Sequence, residues 1–185
     1  MDEALTADPG PDDLPVSAEP IVDQPLETRG EIDFRFIELL FFAYRQFTSD
    51  ADAILSDYGF GRAHHRVLHF VNRSPGMTIA DLLDLLQITK QSLSRVLRQL
   101  IDEGFIAQQP GREDRRQRCL YPTPKGRRLT LDLSRAQVRR ISDAIGGLAP
   151  EEADAVAAFL YRLGGREGTA QDWLLRQDIV KEDDR

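Results

Sequence analysis

Two short amphipathic segments, each opened by a threonine and separated by about three residues, constrain the fold of this chain more than any other feature. Thr78 stands three residues before Asp81, the spacing of a capping box, and Leu82, Leu83, Leu85 and Leu86 supply the apolar face that follows. Thr89 caps a second predicted helix whose Leu93, Val96, Leu97 and Leu100 form one stripe, and Gly104 suits the left-handed position beyond its end. Two helices this close in sequence predict a helix-turn-helix.

The flanking segments extend that reading. Residues 62–72 place Ala63, Val67, Phe70 and Val71 at helical spacing before Ser74-Pro75-Gly76. After Gly104, Phe105-Ile106-Ala107 predicts a strand, Pro110 to Arg116 a polar turn, and Gln117 to Tyr121 a return strand: a wing. Upstream, Ile32 to about Tyr58 predicts a helix apolar on most sides (Phe34, Phe36, Ile37, Leu39 to Phe42, Tyr44, Phe47), which needs more than one partner. Downstream, Thr123-Pro124 opens a helix carrying Leu129, Leu133, Val138, Ile141 and Ile145, and Pro150 opens another with Val156, Phe159, Leu160 and Leu163. Trp173-Leu174-Leu175 suggests a short final helix within a C-terminal extension, 166–185. The expected class is mainly α with a small β-wing (α+β), a winged helix-turn-helix.

A length of 185 residues allows one filled core plus a tail, and no stretch reaches the ~18 consecutive apolar residues a membrane span needs. We therefore expect no membrane partner. One cysteine and an N-terminus unlike a signal peptide suggest a cytoplasmic protein. The net charge of −7 argues against nucleic acid only until its distribution is seen. Residues 1–33 hold ten acids against Arg29 alone, leaving −9, whereas residues 90–128 hold ten bases against four acids, leaving +6. With five prolines among its acids, segment 1–30 is expected to be a disordered tail, most simply a solvated one.

On the second helix of the pair, Lys90, Gln91, Ser92, Ser94, Arg95 and Arg98 occupy the positions the apolar stripe leaves free. Arginine pairs with guanine and glutamine with adenine through two hydrogen bonds, and serine allows close approach to phosphate, so the set suits base reading at a helix N-terminus. The plainer reading of such a face is solvation. What weighs against it is Gly111-Arg112-Glu113-Asp114-Arg115-Arg116, an arginine-rich hairpin tip directly downstream, from which Arg115 and Arg116 can reach a minor groove. Asp114 is expected to pair with Arg116 or Arg98 and stiffen that tip. Double-stranded DNA is thus the expected partner. A protein-protein module that kept the fold without DNA remains the alternative. Enzymatic function has little to recommend it: there is no glycine-rich nucleotide loop, nucleophile-base grouping or metal-ligand cluster, and no cofactor is assigned.

Met77-Thr78-Ile79-Ala80-Asp81-Leu82, Ile88-Thr89-Lys90-Gln91-Ser92-Leu93-Ser94-Arg95, Leu100 through Gly104-Phe105-Ile106, Asp114-Arg115-Arg116 and Leu120-Tyr121-Pro122-Thr123-Pro124-Lys125-Gly126, in this order and at these gaps, resemble the MarR family of bacterial transcription regulators over about residues 32–164. The resemblance implies a homodimer built by helices about 32–58 and 124–164, with a DNA-binding core about 62–122 inside a domain spanning 31–165. It further implies a repressor on a pseudo-palindromic operator, often released by a small effector bound beside the junction of the two regions. Phe42, His64 and His65 are the candidates for lining that pocket. Two departures stand out: Gln87 where the family's turn usually has glycine, and Leu83 where it usually has a small residue. A non-glycine residue with positive φ costs on the order of 1 kcal/mol.

His65 and His69 have the i, i+4 spacing of a metal pair but no third ligand beside them, so hydrogen-bonding roles are preferred and no metal site is assigned. Cys119, between Arg118 and Leu120, is either a redox switch or a packing residue, according to whether it is exposed.

Overall fold

The computed structural model describes residues 32–111, 114–165 and 168–180, together with Pro25 and Gly30. Apart from those last two, the acidic segment 1–31 lies outside the described residues, as do Arg112 and Glu113 of the hairpin tip. The element order is α1 (Phe34–Ser56), α2 (Arg62–Arg73), α3 (Ile79–Leu86), α4 (Lys90–Asp102), β1 (Ile106–Pro110), β2 (Arg118–Pro122), α5 (Pro124–Ile145), α6 (Pro150–Gly164) and α7 (Gly168–Arg176). No helix among the described residues is long and apolar enough to cross a membrane.

Capping explains most of the boundaries. The Asp33 carboxylate accepts the Arg35 amide at the start of α1, and Thr78 and Asp81 exchange both bonds of a capping box at α3 (2.9 and 3.1 Å). The Thr89 hydroxyl accepts the Ser92 amide at α4. α1 stops at Ser56, slightly before the expected Tyr58, because the Phe60 amide reaches back to the Leu55 carbonyl (3.0 Å) and closes the last turn. α4 ends the same way, with the Phe105 amide on the Leu100 carbonyl (2.8 Å), a closure that places Gly104 at φ +75°.

β1 and β2 form an antiparallel hairpin in the register Ile106↔Pro122 to Pro110↔Arg118. The loop before α3 adds a short third rung: Gly76 donates to Leu120 (2.7 Å) and Leu120 to Met77 (2.9 Å). The helix-turn-helix and the wing are therefore one hydrogen-bonded unit. Its core consists of Val67, Leu68 and Val71 from α2, Leu82 from α3, Leu93, Val96, Leu97 and Leu100 from α4, and Phe105, Ile106 and Leu120 from the hairpin, with Leu55 of α1 and Leu129 and Leu133 of α5 closing it. α5 meets this unit closely. A β-carbon at Gly126 would collide with the Phe105 carbonyl, so only glycine fits there, and Thr123 joins the same corner by donating to the Gly104 carbonyl (2.7 Å).

Long parts of α1, α5 and α6 remain bare in the single chain. Phe36, Leu39, Leu40, Phe41 and Phe42 of α1, Val138 and Ile141 of α5, and Phe159, Leu160 and Leu163 of α6 are all exposed. Phe36 and Phe159 sit 6.2 Å apart, ring centre to ring centre, so α1 and α6 contribute to one apolar region. At the C-terminal side α7 folds back: Trp173 is buried and meets Phe70 edge-on at 5.0 Å.

Candidate nucleic-acid interface

The surface of α4 divides sharply. Leu93, Val96, Leu97 and Leu100 are buried, whereas Lys90, Gln91, Ser92, Ser94, Arg95 and Arg98 are exposed. The four ion pairs among the described residues join Arg35 to Asp33, Arg62 to Asp52, Arg135 to Asp132 and Arg140 to Asp50. None involves Lys90, Arg95, Arg98, Arg115 or Arg116, so these cations face water without a carboxylate among the described residues. The two central pairs serve as braces. Arg62 holds Asp52 at 2.8 Å between α2 and α1, and Arg140 holds Asp50 at 2.7 Å between α5 and α1.

The turn into α4 carries the departure noted in the sequence. Gln87 has φ +50° and ψ +43°, the left-handed conformation that glycine adopts freely. Its backbone amide donates to the Leu83 carbonyl (2.9 Å) and its side-chain amide to the Asp84 carbonyl (2.5 Å), so the side chain supplies part of the C-cap.

At the hairpin tip, Arg115 and Arg116 are exposed. Asp114 does not form the expected ion pair with Arg116 or Arg98. Its carboxylate accepts the Arg116 backbone amide (2.8 Å), an Asx turn in which a donor two residues away outcompetes a longer, more mobile guanidinium. Arg112 falls outside the described residues.

The three candidates for the effector pocket part company. A cavity of about 390 Å³ lies between α1, α2, α3 and α5, with Tyr44, Phe47, His65, Arg66, His69, Phe70 and Leu86 among its walls. His65 is there. Phe42 is not: it lies on the exposed face of α1, with the Arg45 guanidinium 5.0 Å above its ring. Nor is His64, whose Nε2 is 2.9 Å from Gln99 Oε1 on α4. Adjacent residues on a helix point about 100° apart, and here that rotation separates a cavity residue from one facing α4. Burial pushes His65 below its ordinary pKa, helped by the neighbouring His69, and burial followed by Arg73 does the same to His69. No group of three His, Cys, Asp or Glu suited to a metal occurs among the described residues. Cys119 is buried, opposite Thr78 in the third rung, which favours packing over redox reactivity.

Sequence reasoning passed over Gln99, Arg66 and Tyr44. Gln99 is polar on the flank of a helix whose other polar residues face outward, so nothing in its spacing sets it apart.

The MarR family profile matches residues 58–117. The HTH-type transcriptional regulator PetP of Rhodobacter capsulatus is 50% identical over 123 residues, 66% of this chain and 72% of the relative. The chain belongs to the MarR family. As a MarR family member it is a transcriptional regulator and not an enzyme. Its fold is that of solved MarR winged-helix structures. Streptococcus pneumoniae FabT, in complex with DNA, superposes with a TM-score of 0.63 at 19% identity, over 80% of this chain and 100% of that one. A MarR family regulator from Listeria monocytogenes complexed with 26mer DNA gives 0.61 at 21% identity, over 82% and 98%.

Proposed function

We propose that this MarR family regulator is a homodimeric, DNA-binding repressor that places its two α4 helices in successive major grooves, ~34 Å apart, of a pseudo-palindromic operator. The observation that carries the reading is the exposed set on α4, three cations and three short or amide side chains, free of ion pairs and backed by an apolar seat. In this arrangement Arg95 and Gln91 read base edges. Lys90, Ser92, Ser94 and Arg98 set position through phosphates, and Arg115 and Arg116 reach the flanking minor groove. Solved relatives of the same fold described in complex with DNA support it, as does the bare apolar region of α1, α5 and α6, which a second copy would cover. The cavity holding His65 is the place for a small effector.

Duplexes selected by the protein from a random pool test this reading. The expected outcome is a two-fold symmetric consensus, bound with an affinity that falls steeply with salt as counterions are displaced. Arg95→Ala should cost roughly tenfold and relax preference at one base pair per half-site. Arg115→Ala should weaken binding while leaving the consensus core unchanged. Selection that yields no consensus, with a flat salt response, would overturn the proposal. A reporter gene under the selected sequence then separates repression from activation.

A further inference from the structure

His64 points away from the cavity, and its two ring nitrogens link the residue before α2 to the last turn of α4. The Gly61 amide donates to His64 Nδ1 at 3.1 Å, so that nitrogen is an acceptor and the neutral ring carries its proton on Nε2. Nε2 donates to Gln99 Oε1 at 2.9 Å. With its oxygen so engaged, Gln99 presents its Nε2 to Glu103 Oε1, also at 2.9 Å. The imidazole lies flat on Phe60, 4.6 Å away and tilted by 5°, and Phe60 in turn meets Phe105 edge-on at 5.1 Å. From the opposite side Lys125 of α5 donates to the Glu103 carbonyl (2.9 Å) and sits 4.0 Å over the Phe105 ring.

The last turn of α4 is thus gripped by α2 and α5, while the first turns project their cations outward. Gln99 is one helical turn beyond Arg95 and adjacent to Arg98. We propose that His64 and Gln99 are positioning residues for DNA recognition, their relay setting the orientation in which α4 enters the groove; this rests on the DNA-binding function proposed above. A helix held in its bound orientation beforehand loses little freedom on binding, and a loosened one must be ordered at the expense of affinity.

The test uses the full-length protein, a labelled duplex selected by the wild type from a random pool, and a scrambled duplex of the same composition. His64→Phe keeps the ring stack and deletes both hydrogen bonds, Gln99→Leu deletes the acceptor, and His64→Gln restores a donor near the Nε2 position. His64→Phe and Gln99→Leu should each bind the selected duplex about fivefold more weakly, with the double variant no weaker than either single one. His64→Gln should recover to within about twofold of wild type, whereas His64→Asn, which keeps only the contact to Gly61, should follow His64→Phe. This ordering holds as a test even if His64→Phe folds poorly. Base preference should stay unchanged in all five variants, in contrast to Arg95→Ala. Wild-type affinity in His64→Phe and Gln99→Leu beside an impaired Arg95→Ala overturns the positioning role alone, as do additive losses in the double variant. A ring proton found on Nδ1 by nitrogen NMR overturns the relay without any DNA. If the wild type selects no duplex at all, the DNA-binding reading fails and this inference falls with it.

Discussion

Gln87 shows a side chain and a backbone in direct competition. The left-handed conformation costs a residue with a β-carbon about 1–2 kcal/mol, and the bond from Gln87 to the Asp84 carbonyl offsets part of it. Gln87→Gly should therefore raise stability by about 0.5–1 kcal/mol, since relief of strain exceeds the added freedom of the unfolded chain; urea denaturation would measure it. A fall in stability would show that the side-chain cap outweighs the strain. His65 and His69 pose a different conflict. Both are held below the ordinary value of 6.5 by burial, so near that pH the unfolded chain binds more protons than the folded one. Stability contributed by these neutral imidazoles is fully present above 6.5 and is lost as the pH falls toward their folded values. Thermal midpoints recorded from pH 7.5 to 5 should drop on acidification, and His65→Gln/His69→Leu should flatten the drop. An unchanged slope in the double variant would place the proton uptake elsewhere.

At the scale of elements, each helix is decided by what lies beside it. α3 and α4 are short, and their caps and apolar stripes are clear in the sequence, but their seat is composite: α2 beneath, the hairpin at one end, and α5 locked on through Thr123 and Gly126. α7 adds a contact from the far end of the chain. It carries the protein's single tryptophan, Trp173, buried against Phe70, a cavity wall, and Gln177 just beyond it donates to Ser74 after α2 (3.4 Å). Trp173→Ala should cost about 3 kcal/mol, the usual loss for truncating a buried large aromatic, with circular dichroism as the readout. Native fluorescence should be blue-shifted and should move to the red on unfolding. Unaltered stability in Trp173→Ala, with red-shifted wild-type emission, would mean that α7 is undocked in solution.

For the whole molecule, the largest physical problem is the apolar region that α1, α5 and α6 leave in water. Exposed apolar surface of this extent marks an interaction surface, and its residues lie on α1, α5 and α6 rather than on α4. If it pairs two copies, unfolding is coupled to dissociation and the thermal midpoint rises with protein concentration. Leu160→Asp combined with Val138→Asp should give a monomer in sedimentation, a concentration-independent midpoint and at least a tenfold weaker hold on the selected duplex, because one half-site alone remains. A double variant that stays dimeric would move the interface to another surface. Charge follows the same division: a net −7 overall coexists with a cationic α4 and hairpin, because the acids are concentrated before residue 34.

The order of elements, the threonine caps of α3, α4 and α5, the buried stripe of α4 and the exposed cations on its other face were legible in the chain alone, because each depends on neighbours within one or two helical turns. The resemblance to a family with glycine in that turn singled out Gln87, but that the residue keeps the left-handed conformation was decided by the structure. Asp114 departs from the ion pair expected of it although its partner, the Arg116 amide, lies only two residues away, because a local amide is the stronger competitor. What the chain could not disclose is which surface each side of α2 meets. His64 and His65 are consecutive and chemically identical, yet one joins α4 and the other a cavity, because residues distant in sequence (Gln99 on one side, Tyr44 and Phe47 on the other) arrive there only when α1 and α4 pack. Local periodicity establishes that a face is buried or exposed, while the partner of that face is a property of the packed helices alone.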